Sequence, residues 1–188
     1  DVGETLDKWG KEEILKDVVR VIRTFRPEVI TTLPRTGTGG GQHHQAAGLI
    51  AEEAFRAAAD PARFPEQIAE GLRPWQAKKI YERYRWGGSG TSTEDDPSQI
   101  LKMQTGLFDP LLGRTYFQVG MQERAYHQCQ GMEQLIPLPG ARASEWMKAD
   151  AVVDTNSPET DLFDGIDTTL FAIEAYAQGQ EGEVSSIH

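Results

Sequence analysis

Cysteine is almost missing from the 188 residues: Cys129 stands alone. One thiol excludes an internal disulfide and a zinc cluster of thiolates, so neither redox chemistry nor a structural metal starts from cysteine; as a small apolar group it is expected to be buried. Basic residues are also short, 19 Lys and Arg against 29 Asp and Glu, which leaves a formal charge of −10. That balance argues against a dedicated surface for nucleic acid or anionic lipid and leaves room only for a local basic patch. No apolar run nears the roughly 20 residues that cross a bilayer, and no internal repeat is visible. A soluble globular chain is expected. Position 1 is Asp and no signal-like segment follows it, so we read the chain as a fragment or a processed product, with compartment open.

What is present has a clear order. Ile14, Leu15, Val18, Val19, Ile22 and Phe25 recur at three- and four-residue spacing and predict an amphipathic helix over residues 11–25, ended by Pro27. The β-branched run at residues 28–33, bounded by two prolines, predicts a buried strand. A glycine-rich loop at 35–41 leads to a second helix over 45–59, so the order is strand, glycine loop, helix. In open α/β sheets such a loop leaves the carboxyl end of a strand, where ligands bind. Beyond it the pattern predicts a short helix over 64–72, strands at 78–84, 100–104 and 146–153, an exposed acidic loop at 87–98, a turn at Asp109-Pro110, a long helix over 115–130, a loop at 137–141 and a final helix over 168–176.

The most specific local feature is Gly39-Gly40-Gly41-Gln42-His43-His44-Gln45-Ala46. Neutral imidazole is a common zinc ligand, and the positive end of a helix dipole disfavours imidazolium, keeping the lone pair available. Neighbouring helical residues diverge by about 100°, so His43 and His44 are not expected to serve one metal from the same regular helix. The residues alone leave equally open that both rings face water. Zinc needs three protein ligands if a catalytic position is to stay open, and no HExxH supplies the others locally. Gly37-Thr38-Gly39 begins a dinucleotide fingerprint but Gln42 stands where its last glycine belongs, so a phosphate cradle is a weaker reading. His127, followed by Gln128 and Gln130, is a candidate general acid or hydrogen-bonding group; a plain surface histidine is the alternative.

The run Val18-Val19-Arg20-Val21-Ile22-Arg23-Thr24-Phe25-Arg26-Pro27-Glu28-Val29-Ile30, the glycine loop, and His43-His44-Gln45-Ala46-Ala47 together resemble the middle of the PIG-L/LmbE-like family of zinc-dependent de-N-acetylases. The segment from Ala59 to Gln67, the stretch Gly71-Leu72-Arg73-Pro74-Trp75 and the His127-Gln128-Cys129-Gln130 element extend the likeness over roughly residues 5–135. The resemblance implies a Rossmann-like α/β domain, a mostly parallel sheet with helices on both faces, in which zinc activates water to remove an N-acetyl group, often from an amino sugar. His44 matches the family's third metal ligand. The family's N-terminal His-Pro-Asp-Asp motif, which supplies two ligands and the general base, does not occur in this sequence. Gly41 stands where the family's oxyanion-stabilising histidine is expected, three residues before the ligand, and His43 is the candidate replacement.

These readings imply an incomplete domain: residues 1–135 form part of the de-N-acetylase-like unit, and 136–188 form its extension with a polar tail. The expected cofactor is zinc, held in part by His44. His43 and His127 are the candidate catalytic groups, Arg35 and Gln130 the candidate substrate contacts. The expected partner is a small N-acetylated amino sugar or glycoconjugate, with another chain or segment completing the sheet and no nucleic acid. Alone, the chain is expected to be inactive. Two further readings stay open, a non-catalytic binding or assembly module that keeps the fold, and a phosphate- or nucleotide-binding α/β domain. Larger bacterial members of the family lean the compartment toward the extracytoplasmic side.

Overall fold

A computed structural model describes residues 1–35, 41–84, 99–132, 137–155 and 158–173, together with Tyr176. The chain starts with α1 (Val2–Trp9), whose first turn is capped by the Asp1 carboxylate accepting from the Glu4 N–H. Gly10, at φ 72°, ends α1 and opens α2 (Lys11–Phe25). This left-handed conformation suits a residue without a Cβ and lets two helices meet at a sharp corner. α2 has the bounds that its apolar period predicts. It buries Leu15, Val19 and Ile22 and stops at Arg26, whose left-handed backbone (φ 54°) returns its N–H to the Ile22 carbonyl.

β1 (Val29–Thr32) follows, then α3 (Gly41–Ala57), which occupies the place of the second predicted helix but starts four residues earlier. Residues 36–40, on which the phosphate-cradle reading falls, lie outside the described residues, as does the whole acidic loop at 87–98. Leu15, Val19 and Ile22 of α2 pack against Ile50, Ala54 and Ala57 of α3 and Ala58 beyond it. Each large aliphatic side chain buried this way is worth roughly 1.5–3 kcal/mol. A second cluster, Phe55, Ala77 and Ile80, joins α3 to the sheet. A short helix, α4 (Pro65–Ala69), sits between them in sequence.

The sheet contains β1, β2 (Lys79–Arg83), β3 (Ile100–Gln104) and β6 (Ala143–Ala151), in the spatial order β1-β2-β6-β3. β1 and β2 run parallel, Ile30 opposite Ile80, whereas β6 lies antiparallel to both β2 and β3. The architecture is therefore α/β, but among the described strands the sheet is mixed and not mostly parallel. The cause is β6, which inserts between β2 and β3; antiparallel neighbours need no crossover helix, so the second half of the chain can build a sheet without the strand–helix alternation that marks the first.

β4 (Phe108–Asp109) and β5 (Arg114–Thr115) make a small hairpin whose turn is held by the Asp109 carboxylate. Thr115 then caps α5 (Tyr116–Arg124) in a reciprocal box with Gln118. The helix predicted to reach residue 130 ends at Arg124. α5 buries no residue, so no dry stripe carries it onward. The chain tightens into a turn at Ala125–His127, then into a 3-10 turn at Gln128–Gln130 closed by Gly131 at φ 64°. Cys129 lies in that turn and is exposed, which corrects the buried position expected for it. Near the other end of the described chain, Tyr176 stacks on Trp75 (centroids 5.0 Å apart) and donates to the Glu28 carboxylate at 2.8 Å. The helix predicted over 168–176 is represented by a 3-10 turn at Leu170–Ile173.

Candidate functional site

The carboxyl ends of β1 and β2 and the first turn of α3 converge on a cavity of about 920 Å3. Leu33, His44 and Arg83 line it from these elements; α5 and the turn after it contribute Phe117, Met121, His127 and Gln130 from the far side. Three of the five residues singled out from the sequence therefore share one space. His44 reaches it because α3 begins just behind the chain leaving β1, and the packing there is close: a Cβ on Gly48, one turn further along α3, would stand 2.5 Å from the Leu33 carbonyl oxygen.

The other two are placed elsewhere. His43 projects toward α1, its ring 5.4 Å from that of Trp9, beside a separate cleft lined by Asp1, Glu4, Lys8 and Gln42. The divergence of adjacent helical side chains thus sends the two imidazoles to different surfaces. Arg35 anchors the stem of the glycine loop. Its Nη1 donates to both oxygens of Glu52 at 2.6 and 2.7 Å, while its backbone N–H and Nε donate to Oε2 of the buried Glu82. Burial acts to lower the Arg35 pKa, and the hydrogen bonds to Glu52 and Glu82 outweigh it, so the group is held above its ordinary value. One guanidinium ties the exit of β1 to both β2 and α3.

Arg83, Tyr116, Phe117 and Arg124 also line the cavity and were not singled out in the sequence. For Tyr116 and Phe117 a signal existed, since Thr115-x-x-Gln118 is a capping-box spacing that marks a helix start next to them. Arg83 is the last residue of β2, and nothing local distinguishes it from an outward-facing charge at a strand end. Burial lowers its pKa from the ordinary value, with Glu145 opposing. Tyr116 is bonded to the Asp109 carboxylate at 2.7 Å, which raises the phenol and lowers the acid.

Among the described residues no group of three His, Cys, Asp or Glu side chains is placed to hold a metal ion. The cavity is lined by His44, His127 and Glu123, but these three are not grouped as the three protein ligands of a catalytic zinc site would be. The donor set present here does not by itself fit that ion.

The structure defines an α/β fold with a histidine-bearing cavity at the carboxyl ends of parallel strands. No family model matches the chain. Among curated proteins it is similar to 1D-myo-inositol 2-acetamido-2-deoxy-alpha-D-glucopyranoside deacetylase 2 of Saccharopolyspora erythraea, 35% identical over 81 residues, which are 43% of this chain and 28% of that protein. The 1D-myo-inositol 2-acetamido-2-deoxy-alpha-D-glucopyranoside deacetylase of Thermobispora bispora is 39% identical over 70 residues, 37% of this chain and 21% of the relative. Deacetylase 1 of Catenulispora acidiphila is 37% identical over 91 residues, 48% of this chain and 26% of the relative. These deacetylases are of the PIG-L/LmbE-like kind, and the chain resembles that family. The matched segments span between 21% and 28% of the relatives' own lengths.

Proposed function

We propose that this chain forms one wall of the active site of an amide hydrolase that removes N-acetyl groups from an amino sugar or glycoconjugate. The observation that carries the reading is the shared cavity of His44, His127 and Gln130, in a chain whose relatives are named deacetylases. In this reading His44 stands at the point where the sheet and α3 deliver a ligand or polar contact to the reacting group. His127, from the facing turn, is placed to hold or donate a proton to a leaving amine. Gln130, one turn away, offers an amide that can both donate to and accept from sugar hydroxyls. Zinc belongs to the reading through the resemblance, but the described donors do not complete a site for it. No step is therefore routed through a metal.

An amide hydrolase also needs a base to activate water, and the cavity's carboxylate, Glu123, lies on α5 among its lining residues. The His-Pro-Asp-Asp motif that supplies a base in the family is not in this sequence. The chain is therefore proposed to be inactive alone and active when a segment bearing that motif completes the site. The test is release of free amine from an N-acetylglucosaminyl-inositol substrate by the chain alone, by the chain mixed with a motif-bearing segment of a relative, and by the mixture with His44→Ala. Release only in the mixture, lost in the variant and on chelation, is expected. Release by the unmixed chain would overturn its inactivity; no release from the mixture would overturn the hydrolase reading.

A further inference from the structure

We infer that Arg83 is an anion-binding residue, and that the molecule taken into the cavity carries a carboxylate or phosphate group beside its acetamido part. This deepens the deacetylase reading and rests on it for the acetamido part alone; the charged part is argued from this site.

The argument begins with hydrogen-bond accounting. Three other arginines packed against the sheet and helices have their donors engaged: Arg23 by a set of backbone carbonyls, Arg35 by two glutamates and Arg56 by Asp150. Arg83 differs. Its Nε is buried without a hydrogen-bond partner. A buried donor left unmet costs about 1–3 kcal/mol, more when it is charged, so a site that holds one is poised for an acceptor from outside.

Geometry supports the same conclusion. The guanidinium carbon lies 5.3 Å from the centre of the Trp146 ring, a cation–π contact that restrains the side chain. A guanidinium held in place presents a planar fork of donors that matches the two oxygens of a carboxylate or two of a phosphate. The nearby carboxylate, Glu145, is already paired with Lys102 at 3.5 Å.

Charge points the same way. The chain carries −10 overall, yet among the described residues the charged groups lining this cavity are Arg83, Arg124 and Glu123, with His44 and His127 beside them. An excess of positive charge in a concave site of an acidic protein concentrates anions where the rest of the surface repels them. Arg83 lines the same cavity as His127 and Gln130. A ligand that fills this cavity of about 920 Å3 meets the arginine and the imidazoles in one space.

The experiment is calorimetric titration of the intact chain with three acetamido sugars: N-acetylglucosamine, its 6-phosphate, and N-acetylmuramic acid, which carries a carboxylate. At least one anionic sugar is expected to bind about tenfold or more tightly than the neutral one, equal to about 1.4 kcal/mol, and the arm that does so identifies the anion. Arg83→Gln is expected to remove the preference and Arg83→Lys to keep part of it. Equal binding of all three sugars, no binding of any, or a preference that survives Arg83→Gln would overturn the inference. If Arg83→Gln fails to fold, as read by circular dichroism, Arg83→Lys decides: a reduced preference supports the role and an unchanged one refutes it. An anion preference without amine release in the mixed assay retains this inference and loses the hydrolase reading, while release without preference does the reverse.

Discussion

The backbone of Gly48 runs so close to the Leu33 carbonyl that a Cβ there would lie 2.5 Å from the oxygen, with Pro34 and Arg35 backbone atoms at 3.2 and 3.3 Å. These atoms are main chain and cannot swing aside as a side chain would. Gly48→Ala is therefore expected to push α3 away from the end of β1 and to cost about 1–3 kcal/mol, although alanine is the better helix former. Thermal unfolding measures the cost. Because His44 lies one turn earlier on the same helix, ligand binding in the cavity should weaken as well.

Arg23 ends its side chain in the interior, 2% exposed, where its guanidinium donates to the carbonyls of Ala58, Asp60 and Arg63 and to the Gln67 side chain at 3.1, 2.7, 2.9 and 3.1 Å. It serves as a shared cap for the carboxyl end of α3 and the loop into α4. Arg23→Met keeps the apolar stem and strands the acceptors, so a loss of about 3 kcal/mol in denaturant unfolding is expected. Arg23→Lys should recover only part, since one ammonium cannot reach all four acceptors.

Lys79, fully buried on β2, pairs with Glu159 at 3.0 Å, and the Tyr81 hydroxyl donates to the same carboxylate at 3.0 Å. Burial acts to raise the Glu159 pKa, but hydrogen bonds from Lys79, Thr155 and Tyr81 outweigh it and hold the carboxyl below its usual value. A depressed carboxyl contributes stability that is present above the unfolded value, about 4.3, and is lost as pH falls through the folded one. Glu159→Gln is thus expected to lose stability at pH 7, by roughly 3 kcal/mol, and to show a flatter decline than the unaltered protein below about pH 4. Parallel acid titrations of the two proteins check it.

The separation of the adjacent imidazoles gives a contrast within one helix turn. In the mixed assay His44→Ala is expected to lower amine release about a hundredfold or more, by comparison with the 10–100-fold typical of losing a group that merely supports a ligand. His43→Ala, whose ring lies against Trp9, should change it less than about threefold. A drop for His43→Ala comparable with that for His44→Ala would restore an oxyanion role for His43.

What could be read in advance follows physical lines. α2 was legible to its ends because its apolar period and Pro27 are local signals, and β3 coincides with the strand expected at residues 100–104. Of the residues marked by chemistry-bearing type and the family likeness, His44, His127 and Gln130 line one cavity. The insertion of β6 between β2 and β3 was not, because strand order is decided by long-range pairing that no short window contains. Arg23, Lys79 and Arg83 were missed for a common reason: a charged residue in a sequence looks solvated until its distant partners, or their lack, are in place.

The Trp75–Tyr176 stack lets the molecule report on itself. Trp75 also donates through its indole N–H to the Pro27 carbonyl at 2.8 Å, and burial, aided by the bond to Glu28, pushes the Tyr176 phenol up to about 12. An indole held this way changes its emission when its aromatic neighbour departs, so the difference spectrum between the unaltered protein and Tyr176→Ala is an optical gauge of whether residue 176 is docked at the junction of α2 and β1.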